Sequence, residues 1–178
     1  MKEITFLDWK LLVDDKQTKF AYQNVVGTTE PCNCYWCSNF VAARNKTYPK
    51  EVINLFKKLG VDHKKEADLY QQGRNEEKNT IFYRWWFYFI GKIVEGTQAW
   101  EFVPRDSPKG DGGPFWQKEL VTIRGKPFSF LIGFADAANR RRAFEEQFVP
   151  EALKSFELVQ VEFNADVSWL LPSTLPEL

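Results

Sequence analysis

The chain has 178 residues, enough for one domain whose core holds without disulfides. Hydrophobic residues make up 44% and charged residues 27%, a globular balance that excludes a disordered chain. Lysine plus arginine equals aspartate plus glutamate at 24 each, so the broad basic surface of a non-specific nucleic-acid binder is not expected.

Residues 6–13 alternate, with Leu7, Trp9, Leu11 and Val13 on one face and Asp8 and Lys10 on the other, which reads as a half-buried strand. A polar turn at 14–17 follows, and 20–26 reads as the antiparallel partner, stopped by Gly27. After a loop, a helix is expected from Asn33 to about Asn45. Pro49 suits the first position of a second helix, whose Val52, Leu55, Phe56 and Leu59 form one apolar stripe and which Gly60 stops. Asp62 is expected to cap a third helix through Gln72, with a polar loop over 73–79.

Residues 80–94 form the most apolar segment. Both faces of a strand there are apolar, so it is expected at the centre of a sheet, covered on both sides. Shorter strands are expected at 99–103, 120–123 and 128–134, and a longer one at 156–163. A loop rich in proline and glycine spans 104–114, and Asp136 is a candidate cap for a helix through Phe148. No linker divides the chain, so residues 1–178 are expected to form a single domain. The fold class is α+β: about six to eight mostly antiparallel strands in one curved sheet, with three to four helices packed on one side.

The longest apolar run, Trp85 to Ile90, is far too short to span a bilayer, and no secretion signal opens the sequence. A cytoplasmic location is the expectation, and three cysteines, which leave one unpaired in any internal pairing, agree with a reducing compartment.

All three cysteines lie in one stretch with the spacing C-x-C-x-x-C. Three thiolates within six residues can supply three of the four ligands of zinc, making Cys32, Cys34 and Cys37 candidate metal ligands. His63, the one histidine, is the candidate fourth ligand, provided the chain folds it back. A second reading is a redox dithiol of Cys34 and Cys37 at a helix N-terminus. A third is structural: free cysteine packs as a small hydrophobe, and Tyr35, Trp36, Phe40 and Val41 would complete such a core. Residue type alone favours the third.

Other constellations are weaker. Arg84, Trp86 and Tyr88 share a strand face and could line a ligand pocket, but a packed face whose arginine pairs with a carboxylate explains them more simply. Arg140, Arg141 and Arg142 are offset by Glu145 and Glu146 at helical spacing. The paired carboxylates at 14–15, 76–77 and 145–146 sit in polar surroundings and suggest no acid–base pair.

Cys32 to Phe40, then Leu59-Gly60-Val61-Asp62, Asp68 to Tyr70, and Ser168-Trp169-Leu170-Leu171 form a series of short motifs along the chain. In these motifs the chain resembles a group of uncharacterised bacterial proteins. The resemblance implies a bacterial cytosolic domain and no particular activity. The functional expectation is a non-enzymatic binding or interaction protein with a small molecule or protein as partner. A zinc protein and a thiol redox protein are the alternatives.

Overall fold

The computed structural model describes residues 1–100, 120–124, 128–138 and 149–172, and the backbone of 101–102 and 115–117. The proline- and glycine-rich stretch 104–114, the arginine run 140–142, most of the helix expected after Asp136 and the end of the tail lie outside the described residues.

The fold is α+β. Its frame is an open seven-stranded sheet, antiparallel in every described pairing. The strands are β1 (Lys2–Phe6), β2 (Trp9–Val13), β3 (Asp68–Asn75), β4 (Thr80–Glu95), β7 (Val121–Arg124), β8 (Phe130–Asp136) and β9 (Leu158–Ser168). The order is β1-β2-β4-β9-β8-β7, and β3 also pairs with β4. A separate two-stranded ribbon joins β5 (Trp100–Phe102) to β6 (Phe115–Gln117).

Strand β4 holds the sheet together. Its first half pairs with β3 and its second half with β2, while β9 runs along its other edge from Thr80 to Ile90. The apolar character of both its faces follows from this position, since a central strand is covered above and below. Ile81, Tyr83, Trp85, Phe87 and Phe89 face the helices, and Trp86 and Tyr88 on the opposite face are also buried.

The helices are α1 (Asp15–Ala21), α2 (Tyr35–Thr47) and α3 (Lys50–Leu59). Phe40 of α2 packs edge-on against Tyr83 and Trp85, with ring centroids 5.5 and 4.9 Å apart. Phe56 of α3 meets Phe87 at 5.0 Å and Phe163 at 5.5 Å. Helix α1 packs on α3 and is tied to β4, where the Ile90 amide donates to the Thr18 hydroxyl and the Tyr22 hydroxyl donates to the Tyr88 carbonyl.

Three expectations are corrected. Leu7 and Asp8 are the turn of a β1–β2 hairpin and not part of a strand; Leu7 takes φ of 50° and is exposed, while Trp9, Leu11 and Val13 are buried as their alternation requires. Residues 20–26 contain no strand. Asp14 caps α1 through the Gln17 amide, and Ala21, Tyr22 and Val25 are buried at a spacing that suits a helix and the turn after it. The helix expected from Asp62 is also absent. Asp62 holds only a turn, accepting from the Lys64 amide, and the chain then becomes β3, because the free edge of β4 offers backbone partners from Trp86 back to Thr80.

The stop at Gly60 holds. Its φ is +78°, and a Cβ there would sit 2.2 Å from the Asp15 carbonyl oxygen. Gly60→Ala is therefore expected to lower stability by about 2 kcal/mol or more, from left-handed strain plus the forced parting of α3 from α1. Urea unfolding measures it; a loss under about 0.5 kcal/mol would contradict this packing.

Candidate metal centre

The three thiols gather at the N-terminus of α2. Cys34 is the N-cap, and its Sγ accepts a hydrogen bond from the Cys37 amide at 3.4 Å. The C-x-x-C spacing is thus one helical turn seen from its cap, and it sets Cys37 directly over Cys34. Cys32 reaches back so that its Sγ is 3.3 Å from the Cys34 Sγ. All three sulfurs lie within 4.8 Å of one another. Sulfurs each about 2.3 Å from one tetrahedral zinc stand about 3.8 Å apart, so small side-chain rotations bring the set to ligating geometry.

The cysteines are not core residues. Cys34 is exposed and Cys32 and Cys37 are half-buried, all three as free thiols, which corrects the structural reading. The residues expected to form a core around them divide: Phe40 is buried, Trp36 is half-buried against Trp169 and Tyr35 is exposed. Their protonation is polarised. Hydrogen bonds from the Cys34 backbone and the neighbouring thiols hold the Cys32 thiol below its ordinary range, whereas burial pushes the Cys37 thiol up.

Two anchors fix this platform. On the helix side, the Tyr83 hydroxyl donates to the Trp36 carbonyl at 2.9 Å. Asn39 donates to the Ser168 carbonyl and accepts from the Leu170 amide. On the loop side, the Thr28 amide and hydroxyl both donate to the Glu66 carbonyl, the Thr29 hydroxyl donates to the Glu66 carboxylate at 2.8 Å, and the Cys32 amide donates to the Thr29 carbonyl.

Glu66 and Arg44 are both buried. Arg44 donates to the Lys64 carbonyl at 2.9 Å, lies 3.5 Å from the Glu66 carboxylate and also pairs with Glu30, two residues before Cys32. Burial raises the pKa of Glu66, and its hydrogen bonds and Arg44 oppose that rise. This pair is not among the sequence-based expectations, since Arg44 and Glu66 are 22 residues apart. A signal was present: Phe40, Ala43, Arg44 and Thr47 share the buried stripe of α2, so a charge stands on a core face.

His63 does not join the thiols. Its ring packs on Tyr48 and Phe56, with centroids 5.7 and 6.1 Å away, and burial lowers its pKa. Tyr48 is the C-cap of α2 and Cys34 its N-cap, so the length of the helix, about 20 Å, separates the histidine's neighbourhood from the sulfurs. Among the described residues the only cluster of potential metal ligands is Cys32, Cys34 and Cys37.

The Arg84 face is a packed ion-pair site. Arg84 and Glu162 meet at 2.7 Å, and the guanidinium lies 4.5 Å from the Trp100 ring. The Trp100 indole and the Gln160 amide also donate to Glu162. A cleft of about 550 Å³ opens between α1 and α3, lined by Lys19, Tyr22, Phe56, Lys57, Asp62 and Lys65, and no thiol borders it.

Among the described residues no helix is long and apolar enough to cross a membrane. No protein-family model matches the chain, and neither the curated proteins nor the solved structures compared with it contain a match.

Proposed function

We propose that this chain is a non-enzymatic binding protein whose Cys32, Cys34 and Cys37 hold a thiophilic metal ion. The observation that carries the reading is the gathering of three free sulfurs within 4.8 Å at a solvent-facing helix N-terminus. Thiolates are soft donors that select zinc, monovalent copper and iron–sulfur centres over hard cations. Ligation needs the deprotonated thiols, so binding releases protons and strengthens as pH rises. Zinc, the ion the spacing suggests, would take its fourth donor from outside the thiol cluster. Free thiols agree with a reducing compartment, and the cytoplasm is the location that fits.

The test is metal content and thiol count on the same native, reduced sample. A single metal ion per chain is expected, with the thiols unreactive until a chelator is added. Cys34→Ser should abolish binding while preserving the helix, because serine is itself a good N-cap. A metal-free protein with three freely titrating thiols ends the reading.

A thiol redox role has one observation in its favour, the 3.3 Å between the sulfurs of Cys32 and Cys34. That distance favours Cys32 with Cys34 as the pair to oxidise first. Peptide mapping after mild oxidation distinguishes this pairing from Cys34 with Cys37.

A further inference from the structure

Resting on the reading that the three thiolates hold a metal, we infer that the ion suited to this site is three-coordinate monovalent copper rather than zinc. The reason is the supply of donors. Zinc held structurally by proteins is almost always four-coordinate, with sulfur and nitrogen side chains filling every position. This chain has three cysteines, one histidine and one methionine. The cysteines are spent. His63 packs on Tyr48 at the far end of α2. Met1 is equally remote. Lys2 lies opposite Val13, and Val13 opposite Gly91, whereas the thiol end of α2 is pinned to Tyr83. Eight residues of strand between Tyr83 and Gly91 span about 26 Å.

No soft side chain of the chain is therefore left to close a zinc tetrahedron. Carboxylates do not fill the gap among the described residues. Glu30, close in sequence, is engaged with Arg44, and no acidic group joins the sulfurs at ligating distance. Monovalent copper differs from zinc on this point. It is softer, favours thiolate over oxygen and is content with three donors, so the site as built completes its shell.

The charge balance is supported locally. Three thiolates around a monovalent ion leave two negative charges, and these sit at a helix N-terminus in contact with water. The Cys37 amide already donates to the Cys34 sulfur. As each Cu–S bond forms, a thiol that is still protonated gives its proton to solvent, and copper enters and leaves as the monovalent ion without a redox step. All three ligands come from one short stretch whose loop is already anchored through Thr29 and Glu66. The ion therefore ties no distant segments together, and its exposure suits exchange with other carriers.

The test uses the full chain, reduced and under nitrogen. Copper(I) buffered by bicinchoninate and zinc buffered by 4-(2-pyridylazo)resorcinol are titrated separately and then in competition, and X-ray absorption counts the donors. A single copper ion per chain is expected, with three sulfur donors and no nitrogen or oxygen. Equimolar copper(I) should displace bound zinc. Cys32→Ser, Cys34→Ser and Cys37→Ser should each weaken copper binding by about a hundredfold or more, and His63→Ala should leave it unchanged. Circular dichroism on each variant separates lost ligation from lost folding. Zinc retained against equimolar copper, a nitrogen or oxygen donor on the copper, or several coppers per chain would overturn the copper assignment and leave the thiolate metal reading standing. Binding of neither ion overturns both.

Discussion

Trp85→Ala is expected to unfold far below the denaturant midpoint of the parent protein, with a loss of about 3–5 kcal/mol. Trp85 is fully buried at the centre of β4, on the face that receives the helices. Its ring stacks on Phe163 at 5.6 Å and meets Phe40 at 4.9 Å, Tyr48 at 5.9 Å and Phe130 at 5.9 Å. One side chain thus joins α2 to three strands. The indole also donates to the Tyr48 hydroxyl at 2.9 Å, a bond between two buried groups. Truncation removes the ring contacts, leaves a cavity among rigid neighbours that cannot collapse into it, and orphans the tyrosine.

Two milder variants separate the terms. Tyr48→Phe removes the hydrogen bond and leaves the indole donor unpaired, for about 1–3 kcal/mol. Trp85→Phe keeps part of the ring packing and should fall between the other two. Urea unfolding followed by far-ultraviolet circular dichroism measures all three. A loss under about 1 kcal/mol for Trp85→Ala would show that α2 is not seated on β4 as described.

What the sequence disclosed about this core follows from how local the signal was. Strand β4 was legible because both of its faces are apolar from Ile81 to Ile90, Arg84 apart, a pattern few other structures produce. Helix α3 was legible because Pro49, the stripe of Val52, Leu55, Phe56 and Leu59, and Gly60 agree with one another. Residues 20–26 misled because aromatic and β-branched side chains favour strands, while the decisive fact was the Asp14 cap a full turn upstream. Strand β3 was illegible for a different reason. Its residues are mostly half-buried or exposed, without clean alternation, and only the free edge of β4 makes them extended. Pairing of that kind is a tertiary effect that no local window contains.

The candidate site divides along the same line. The thiols were legible because all three ligands lie within six residues and the helix cap brings them together. Their solvent exposure was not, since residue type alone favours burial for cysteine. Whether His63 could reach them depended on the path through α3, and the structure places it at the other end of α2. The anchor of the thiol loop was equally hidden: Arg44 and Glu66 are 22 residues apart and meet only after the chain has folded.

That anchor carries the second large effect. Arg44→Met is expected to cost about 3–5 kcal/mol, because it leaves the Glu66 carboxylate buried without its cation. Arg44 is also the group that closes on the Lys64 carbonyl and on Glu30, so the loop leading into Cys32 loses its tie to α2. The double variant Arg44→Met with Glu66→Met should recover most of the loss, since two apolar side chains replace two buried charges. Recovery will be incomplete because the Thr29 hydroxyl loses its acceptor.

The pH dependence has a defined sign. Burial raises the folded-state pKa of Glu66 above the ordinary value of about 4.3. Between the unfolded and folded values the native state binds a proton that the unfolded state has released, so this group's contribution to stability falls as pH rises through that window. Removing the Arg44 charge widens the window upward, because the guanidinium is one of the groups opposing the rise. The stability gap between Arg44→Met and the parent should therefore narrow as pH is lowered from about 8 to about 5, and close most at the acid end. Urea unfolding of both proteins across that range measures the gap. A gap that stays constant, or widens toward acid, would mean that Glu66 is already protonated in the parent or reaches water when Arg44 is gone. In either case the Arg44 charge would not be what holds the thiol loop in place.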